Sequence, residues 1–296
     1  MNSDRRLDFI ACCVDCHAEL HRDELTFECK GCGRLYRQIS GVWDFRESVP
    51  RLSQPALFRT PQFLDWRSVF ERRELKNWYV YKNAFFRFFS QAGHRLAGKV
   101  LKRESTNGAL LEIGAGSGAL LSFFSANRYV GVDIALEGLI ELKLKHPDAV
   151  AVCASTTALP FKRSSFEQVI CLHTLEHIYH LAEALEEIVR TMRPEGVFYY
   201  GIPTEGGVGF WLGRKLLTGP HIRRTYGLDI DHIMDREHIN DAPRVLKLLR
   251  MHFDIVDRHF WPIRIFPLLS FNAFIYGTAR APLPIAKKKH ANTSSD

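Results

Sequence analysis

Between residues 109 and 202, short apolar runs alternate with amphipathic segments. The runs at 109–113, 129–133, 150–153, 167–172 and 196–202 predict strands. The segments at 117–126, 136–145 and 179–192 predict helices between them. That β-α-β rhythm implies right-handed crossovers and a parallel sheet with helices on both faces. Asn240 to His252 predicts a further helix. Phe253–Arg258 and Phe271–Gly277 then predict two closing strands, too close in sequence for a helical crossover and therefore antiparallel neighbours. Upstream, the aromatics from Leu75 to Arg103 recur at i+3 and i+4, which predicts a helix with a broad buried face. A substrate lid or membrane-contacting surface is the competing reading of the same aromatics.

One junction in this pattern carries chemistry. Leu110-Leu111-Glu112-Ile113 runs into Gly114-Ala115-Gly116-Ser117-Gly118, and the next strand ends in Gly131-Val132-Asp133. Alternating glycines let a strand turn sharply and let backbone approach a ligand with no Cβ in between. Asp133 stands where a carboxylate can accept hydrogen bonds from a ribose diol. The spacing G-x-G-x-G does not by itself separate a dinucleotide site from other nucleoside sites. Glu112 adds discrimination, because an acid there suits a cationic group such as an α-amine and would repel a pyrophosphate.

The first 45 residues have a different character. Cys13-Val14-Asp15-Cys16 and Cys29-Lys30-Gly31-Cys32 form two C-x-x-C pairs. Such pairs place four thiolates at the corners of a tetrahedron, so Cys13, Cys16, Cys29 and Cys32 are expected to hold a structural zinc; two redox pairs are the alternative. Cys12 is a bystander on this reading. The segment from Cys32 through Tyr36 and Ile39-Ser40-Gly41-Val42 to Phe45 resembles the zinc ribbon of the Trm112-like family, whose members often stand ahead of methyltransferases.

The ordered set from 108 to 202 resembles the class I methyltransferases that use S-adenosylmethionine (SAM). It comprises Leu111–Gly118, Gly131-Val132-Asp133, Ala158-Leu159-Pro160-Phe161, Ser165–Ile170, Leu175-Glu176-His177-Ile178 and Arg193–Val197. The resemblance implies an α/β, Rossmann-like, seven-stranded class I fold with a small N-terminal zinc-ribbon domain. The expected organisation is a ribbon over 1–45, a linker over 46–74, the methyltransferase domain over 75–283 and a disordered tail over 284–296. It also implies a glycine loop (Gly114, Ala115, Gly116, Gly118) with Glu112 under the methionine moiety, Asp133 on the ribose, and Ser155 and Thr156 near the adenine. The family commonly carries Asp where Ser155 stands; serine can accept the adenine amino hydrogen bond only without charge.

His173-Thr174-Leu175-Glu176-His177 follows the fourth strand and faces the methyl donor in this fold. His177 and His173 are the candidate general bases, since a histidine can take a hydroxyl proton near neutral pH; His238 is a more distant third. Similar Glu-His pairs in the ubiquinone-pathway O-methyltransferases suggest a divalent cation at His173, Glu176 and His177. The opposing reading has Glu176 and His177 capping the next helix. The insertion from Pro203 to Asn240, with Arg214, Lys215, Arg223 and Arg224, is expected to shape the acceptor pocket.

Composition adds limits. The chain has 296 residues, 46% of them hydrophobic and 25% charged, with seven cysteines and a net charge of +7. This is the composition of a folded protein. The polar N-terminus and odd cysteine count lead us to expect a cytoplasmic setting without a disulfide framework, with membrane association as an alternative. The expected activity is SAM-dependent O-methylation of a small-molecule, glycan or lipid-linked acceptor. An RNA methyltransferase holding nucleic acid on the ribbon, and a non-catalytic SAM-binding protein, are the alternatives.

Overall fold

The structure, a computed structural model, describes residues 3–46, 88, 91–103, 108–125, 128–226, 229, 231, 234, 237–263 and 265–280. The expected linker beyond residue 46, the aromatic segment before 88 and the expected tail lie outside the described residues.

The chain begins with helix α1 (Leu7–Ile10) and strands β1 (Leu20–Asp23), β2 (Thr26–Cys29), β3 (Leu35–Ile39) and β4 (Val42–Asp44). Helix α2 (Ala92–Arg103) precedes β5 (Leu110–Ile113), β6 (Tyr129–Asp133), α3 (Leu136–Lys145), β7 (Val150–Cys153), β8 (Phe166–Leu172), α4 (Leu181–Thr191) and β9 (Met192–Pro203). The insertion folds as α5 (Val208–Gly213), a π turn (Arg214–Thr218) and α6 (Gly219–Tyr226). Helix α7 (Ala242–His252), β10 (Ile255–Val256), β11 (His259–Trp261) and β12 (Phe274–Arg280) complete the order.

Local chemistry explains several of these boundaries. On α4, Leu181, Ala184, Leu185 and Ile188 repeat at helical spacing and are all buried. Asp241 caps α7 by accepting the Arg244 N–H at 2.8 Å, and Pro243 occupies the first turn, where its missing N–H costs nothing. Ser40 and Gly41 both adopt positive φ, 49° and 81°, as a two-residue type I′ hairpin between β3 and β4 demands. The helix expected over 117–126 does not form. Gly118 turns left-handed at φ 81°, and only a short 3-10 turn, Leu120–Ser122, follows.

The sheet order is β1-β2-β3-β4-β7-β6-β5-β8-β9-β12-β10, with β11 also paired to β12. Strands β7 to β9 run parallel, and β12 inserts antiparallel between β9 and β10. The expected seven strands are therefore present from β7 to β10, but the sheet itself is larger. The reason is an open edge. Strand β4 pairs in parallel with β7, Trp43 opposite Val152 and Asp44 opposite Cys153, and so carries the N-terminal hairpins onto the sheet.

Side chains reinforce that junction. Phe27, Tyr36, Trp43 and Phe45 are buried in the same apolar core as Val150, Val152, Leu159 and Phe161. Cys12 N–H donates to the Pro160 carbonyl at 3.0 Å, and Lys162 N–H to that of Ile10 at 2.7 Å. Arg190 braces the 159–161 loop from behind, donating to the carbonyls of Phe161 and Leu159 while paired with Glu187. The N-terminal segment, expected as a small separate domain, is built as an extension of the central sheet.

Candidate functional site

The glycine loop leaves the end of β5 with Gly114, Gly116 and Gly118 at φ 73°, 48° and 81°. Gly114 and Ala115 both donate their N–H groups to the Val132 carbonyl, at 2.8 and 3.0 Å. A Cβ on Gly114 would overlap the Thr174 hydroxyl, whereas one on Gly116 would meet nothing within 4 Å among the described residues. Among the described residues the space on the Cβ side of Gly116 is therefore open. Gly138, in the first turn of α3, lets that helix pack against the Gly116 backbone; a Cβ there would stand 3.2 Å from the Gly116 carbonyl carbon.

Asp133 fixes this arrangement. Its Oδ2 accepts the Gly116 N–H and its Oδ1 the Ala135 N–H, both at 2.9 Å. Burial raises its carboxyl pKa, and these backbone donors act against that shift. With Gly116, Ala135 and Ile134 donating to it, the carboxylate keeps an acceptor site for a ligand hydroxyl. The Ala154 N–H donates to the Asp133 carbonyl at 3.0 Å, which sets Ser155 and Thr156 at the same corner. Ser155 Oγ lies 2.8 Å from Thr157 Oγ1 and receives the Thr157 N–H at 3.3 Å.

Glu112 lies deeper. It is buried beneath the loop, where Tyr129 donates its hydroxyl to Oε2 at 2.5 Å. Burial pushes the Glu112 carboxyl up to about 8, so it is largely protonated at neutral pH. Gly131 makes room for this pair, since a Cβ there would stand 2.8 Å from the Tyr129 hydroxyl.

The two candidate bases separate. His173, at φ 53°, turns toward Phe274 and Tyr276, whose rings lie 4.9 and 5.9 Å from its own in edge contact. Its Nε2 stands 3.4 Å from the Tyr276 hydroxyl, and the His94 ring is 6.2 Å away. His177 turns the other way, its ring 4.6 Å from that of His238 and its Nδ1 donating to the Glu237 carbonyl at 2.8 Å. Burial lowers both imidazoles to about 3, which leaves both neutral at neutral pH.

The metal grouping expected at His173, Glu176 and His177 is accordingly corrected. Ligand atoms of Glu176, His177 and His238 all lie within 4.8 Å of one another, and His173 is not of this group. The left-handed backbone at His173 and the 3-10 turn Leu175–His177 aim the two histidines at different walls. His238 and Glu205, 2.7 Å apart as an ion-pair contact, come from the insertion. The sequence offers His238 only as the third candidate base, and nothing in that segment's periodicity marks Glu205. The nearby cavity has a volume of about 480 Å³ and is lined by Glu205, Phe210, Trp211, Arg214, Met234 and His238.

The four cysteines do converge. Cys13 Sγ and Cys32 Sγ are 3.7 Å apart, Cys16 Sγ and Cys29 Sγ 3.4 Å, and all four sulfurs lie within 4.8 Å of one another. With Zn–S bonds near 2.3 Å, a tetrahedron has S–S edges of about 3.8 Å. No disulfide joins them. Each pair makes a knuckle with a left-handed residue after its second cysteine, His17 at φ 56° and Gly33 at φ 72°. The N–H groups of Gly31 and Cys32 point at Cys29 Sγ, both at 3.4 Å.

Comparison with known proteins bears on the central segment. Residues 111–200 match the family model described as a methyltransferase domain. The chain is 36% identical over 87 residues to an uncharacterized protein of Methanocaldococcus jannaschii, covering 29% of this chain and 37% of that protein. It is 26% identical over 157 residues to a probable S-adenosylmethionine-dependent methyltransferase of Mycolicibacterium smegmatis, covering 52% and 58%. A further relative, at 27% identity over 140 residues and covering 44% and 41%, is the mitochondrial arginine-hydroxylase NDUFAF5 of Homo sapiens. The chain thus spans between 37% and 58% of the length of these relatives. Among solved structures, the CurJ carbon methyltransferase superposes with a TM-score of 0.51 at 17% identity, over 70% of this chain and 57% of that one, which speaks to fold alone. Residues 111–200 are thus similar to methyltransferase domains, and they supply the central parallel strands of a sheet of this order.

Proposed function

We propose that this chain binds SAM over the glycine loop and methylates a hydroxyl of a small-molecule, glycan or lipid-linked acceptor. The observation that carries the reading is the space left open on the Cβ side of Gly116 among the described residues, with the Gly116 N–H held by Asp133. Glu112, Gly114, Ala115, Gly116 and Gly118 shape the methionine side, Asp133 receives the ribose hydroxyls, and Ser155 and Thr156 border the adenine. Methyl transfer breaks the sulfonium S–CH3 bond and forms O–CH3, releasing S-adenosylhomocysteine. Most of the acceleration comes from holding the acceptor oxygen in line. His173 takes the acceptor proton on this reading. Its imidazole is neutral, and its left-handed backbone is the kind of local strain that persists at functional positions.

The acceptor side supports a lipid-linked or otherwise apolar substrate. Val208, Trp211, Leu216 and Leu217 are exposed on the insertion, and Ile265, Phe266 and Phe271 on the segment packed beside it. Arg223 and Arg224 lie on the adjoining α6. Among the described residues no helix is long and apolar enough to cross a membrane.

Cys13, Cys16, Cys29 and Cys32 fit a structural zinc by donor type and spacing. With all four positions taken by thiolates, the metal would brace the N-terminal hairpins rather than meet substrate.

The likeness to a protein named an arginine-hydroxylase favours a second reading, in which the same fold serves a different reaction. Incubation with methyl-labelled SAM and fractionated cell extract separates the two. Label in the product, equal in amount to the unlabelled S-adenosylhomocysteine released, supports methyl transfer. SAM bound but never consumed, across all fractions, would overturn it. Label in RNA, with retention on RNA that weakens with salt, would replace the proposed acceptor by nucleic acid.

A further inference from the structure

The turn that carries Asp133 is braced by residues outside the 111–200 segment that resembles methyltransferase domains. Strand β4 lies parallel to β7 with Asp44 opposite Cys153, and the Phe45 N–H donates to the Cys153 carbonyl at 2.8 Å. In a parallel sheet, ligands bind outside the carboxyl ends of the strands. The chain leaving β4 is therefore delivered to the end of the sheet where Ile134 follows β6 and Ala154 follows β7.

Arg46 stands at that exit. Asp44 grips its guanidinium at two points, Oδ1 accepting from Nε at 3.0 Å and Oδ2 from Nη2 at 2.7 Å, and the Arg46 backbone N–H also donates to Oδ1 at 3.0 Å. A two-pronged contact of this kind fixes the plane of a guanidinium as well as its place. Asp44 is the more buried partner, its side chain 9% exposed against 37% for Arg46. The remaining Nη1 donates to the Ile134 carbonyl in a long contact of 3.5 Å, joining residues 88 apart in the chain. The Cys153 thiol donates to the same carbonyl at 3.5 Å. Ile134 is the middle residue of the turn in which Asp133 Oδ1 accepts the Ala135 N–H at 2.9 Å. Two donors from neighbouring strands thus converge on the turn that aims the Asp133 carboxylate.

We infer that Arg46, held by Asp44, is a positioning residue for the adenosine end of the cofactor site, supplied to it by the N-terminal extension. This rests on the SAM reading and deepens it, because it assigns part of cofactor recognition to residues outside the central segment. Asp133 can serve a ribose only while the 133–135 turn holds its carboxylate in place. Ser155, at the same corner, has its hydroxyl engaged by Thr157, which leaves the adenosine end dependent on that turn. The carboxylate and guanidinium of the pair cancel in charge. The pair therefore orders the turn without placing a net charge beside a cationic sulfonium.

The test is calorimetric titration of the full-length chain with SAM and with 5′-methylthioadenosine, which keeps the adenosine and lacks the amino-acid arm. Arg46→Gln is expected to weaken both ligands by the same factor, roughly three- to tenfold. Its melting temperature should stay within about 2 °C of the wild type, since a partly exposed ion pair adds little stability. Asp44→Asn is expected to match that loss of affinity, and the double variant to lose no more than either single one, as for two residues acting as a unit. Arg193→Ala, which breaks a pair with Glu167 where β8 and β9 begin, should change neither affinity. Wild-type affinity for both ligands in Arg46→Gln overturns the inference, and this variant decides if Asp44→Asn does not fold. A loss for SAM without one for 5′-methylthioadenosine also overturns it, because the effect would then lie at the methionine end. A folded wild-type chain that binds neither ligand overturns the SAM reading and the role of Arg46 together.

Discussion

Replacing Gly116 by alanine separates folding from cofactor binding more cleanly than any other change in the loop. Gly116 has φ 48°, and an added Cβ would meet nothing within 4 Å among the described residues. The cost to the folded state is therefore the left-handed backbone of a non-glycine residue, about 1–2 kcal/mol. In a chain of this size that corresponds to a fall in melting temperature of roughly 2–8 °C. The methyl projects into the space assigned to SAM, so binding is expected to weaken at least tenfold, or about 1.4 kcal/mol. Gly114→Ala is the contrasting control. Its Cβ overlaps Thr174 inside the protein, and overpacking adds about 1–3 kcal/mol to the same backbone cost. Differential scanning fluorimetry gives the stability, and calorimetric titration with SAM the affinity. If Gly116→Ala binds SAM as tightly as the wild type while melting normally, the cofactor does not sit over Gly116 and the assignment of the loop is wrong.

Other expectations follow from the buried acid, the cysteines and the sheet edge. The Glu112 carboxyl, held near 8 in the folded chain against 4.5 when free, keeps a proton that the unfolded chain has lost between those values. The folded state then binds more protons, so stability falls as pH rises from about 4.5 to 8 and levels off above. Glu112→Gln lacks this term; its stability relative to the wild type should rise across that window by a few kcal/mol. Identical pH profiles for the two in thermal melts would refute the buried-acid account. Cys29→Ser should reduce bound zinc from one per chain to a small fraction and lower the melting temperature, and full zinc by elemental analysis would refute a four-thiolate site. Trp43→Ala, at the β4–β7 junction, removes a fully buried ring and should cost about 3–5 kcal/mol. Unchanged melting would mean that the N-terminal hairpins do not pack as described.

The parts of the molecule legible in its sequence are those governed by local pattern. The run Val150-Ala151-Val152-Cys153 announces a strand, and Leu181, Ala184, Leu185 and Ile188 announce one helix face. The glycine loop and Asp133 were legible for the same reason, since a left-handed turn needs glycine whatever surrounds it. The failures are of two kinds. The 117–126 segment has apolar residues at helical spacing, but Gly118 turns the backbone left-handed and breaks the helix before it starts. The pairing of β4 with β7, and the meeting of His238 with His177, join residues distant in the chain. Local periodicity is silent about such contacts, because register across a sheet edge and the fold of an insertion are settled by tertiary packing. Even the direction of His173 depended on one backbone angle that composition does not reveal.

The most direct test of the central claim is calorimetric titration of the intact chain with SAM and with S-adenosylhomocysteine. The account predicts saturable binding of each at one molecule per chain, with the two competing for a single site. A folded protein, confirmed by a cooperative melt, that takes up neither ligand would contradict it.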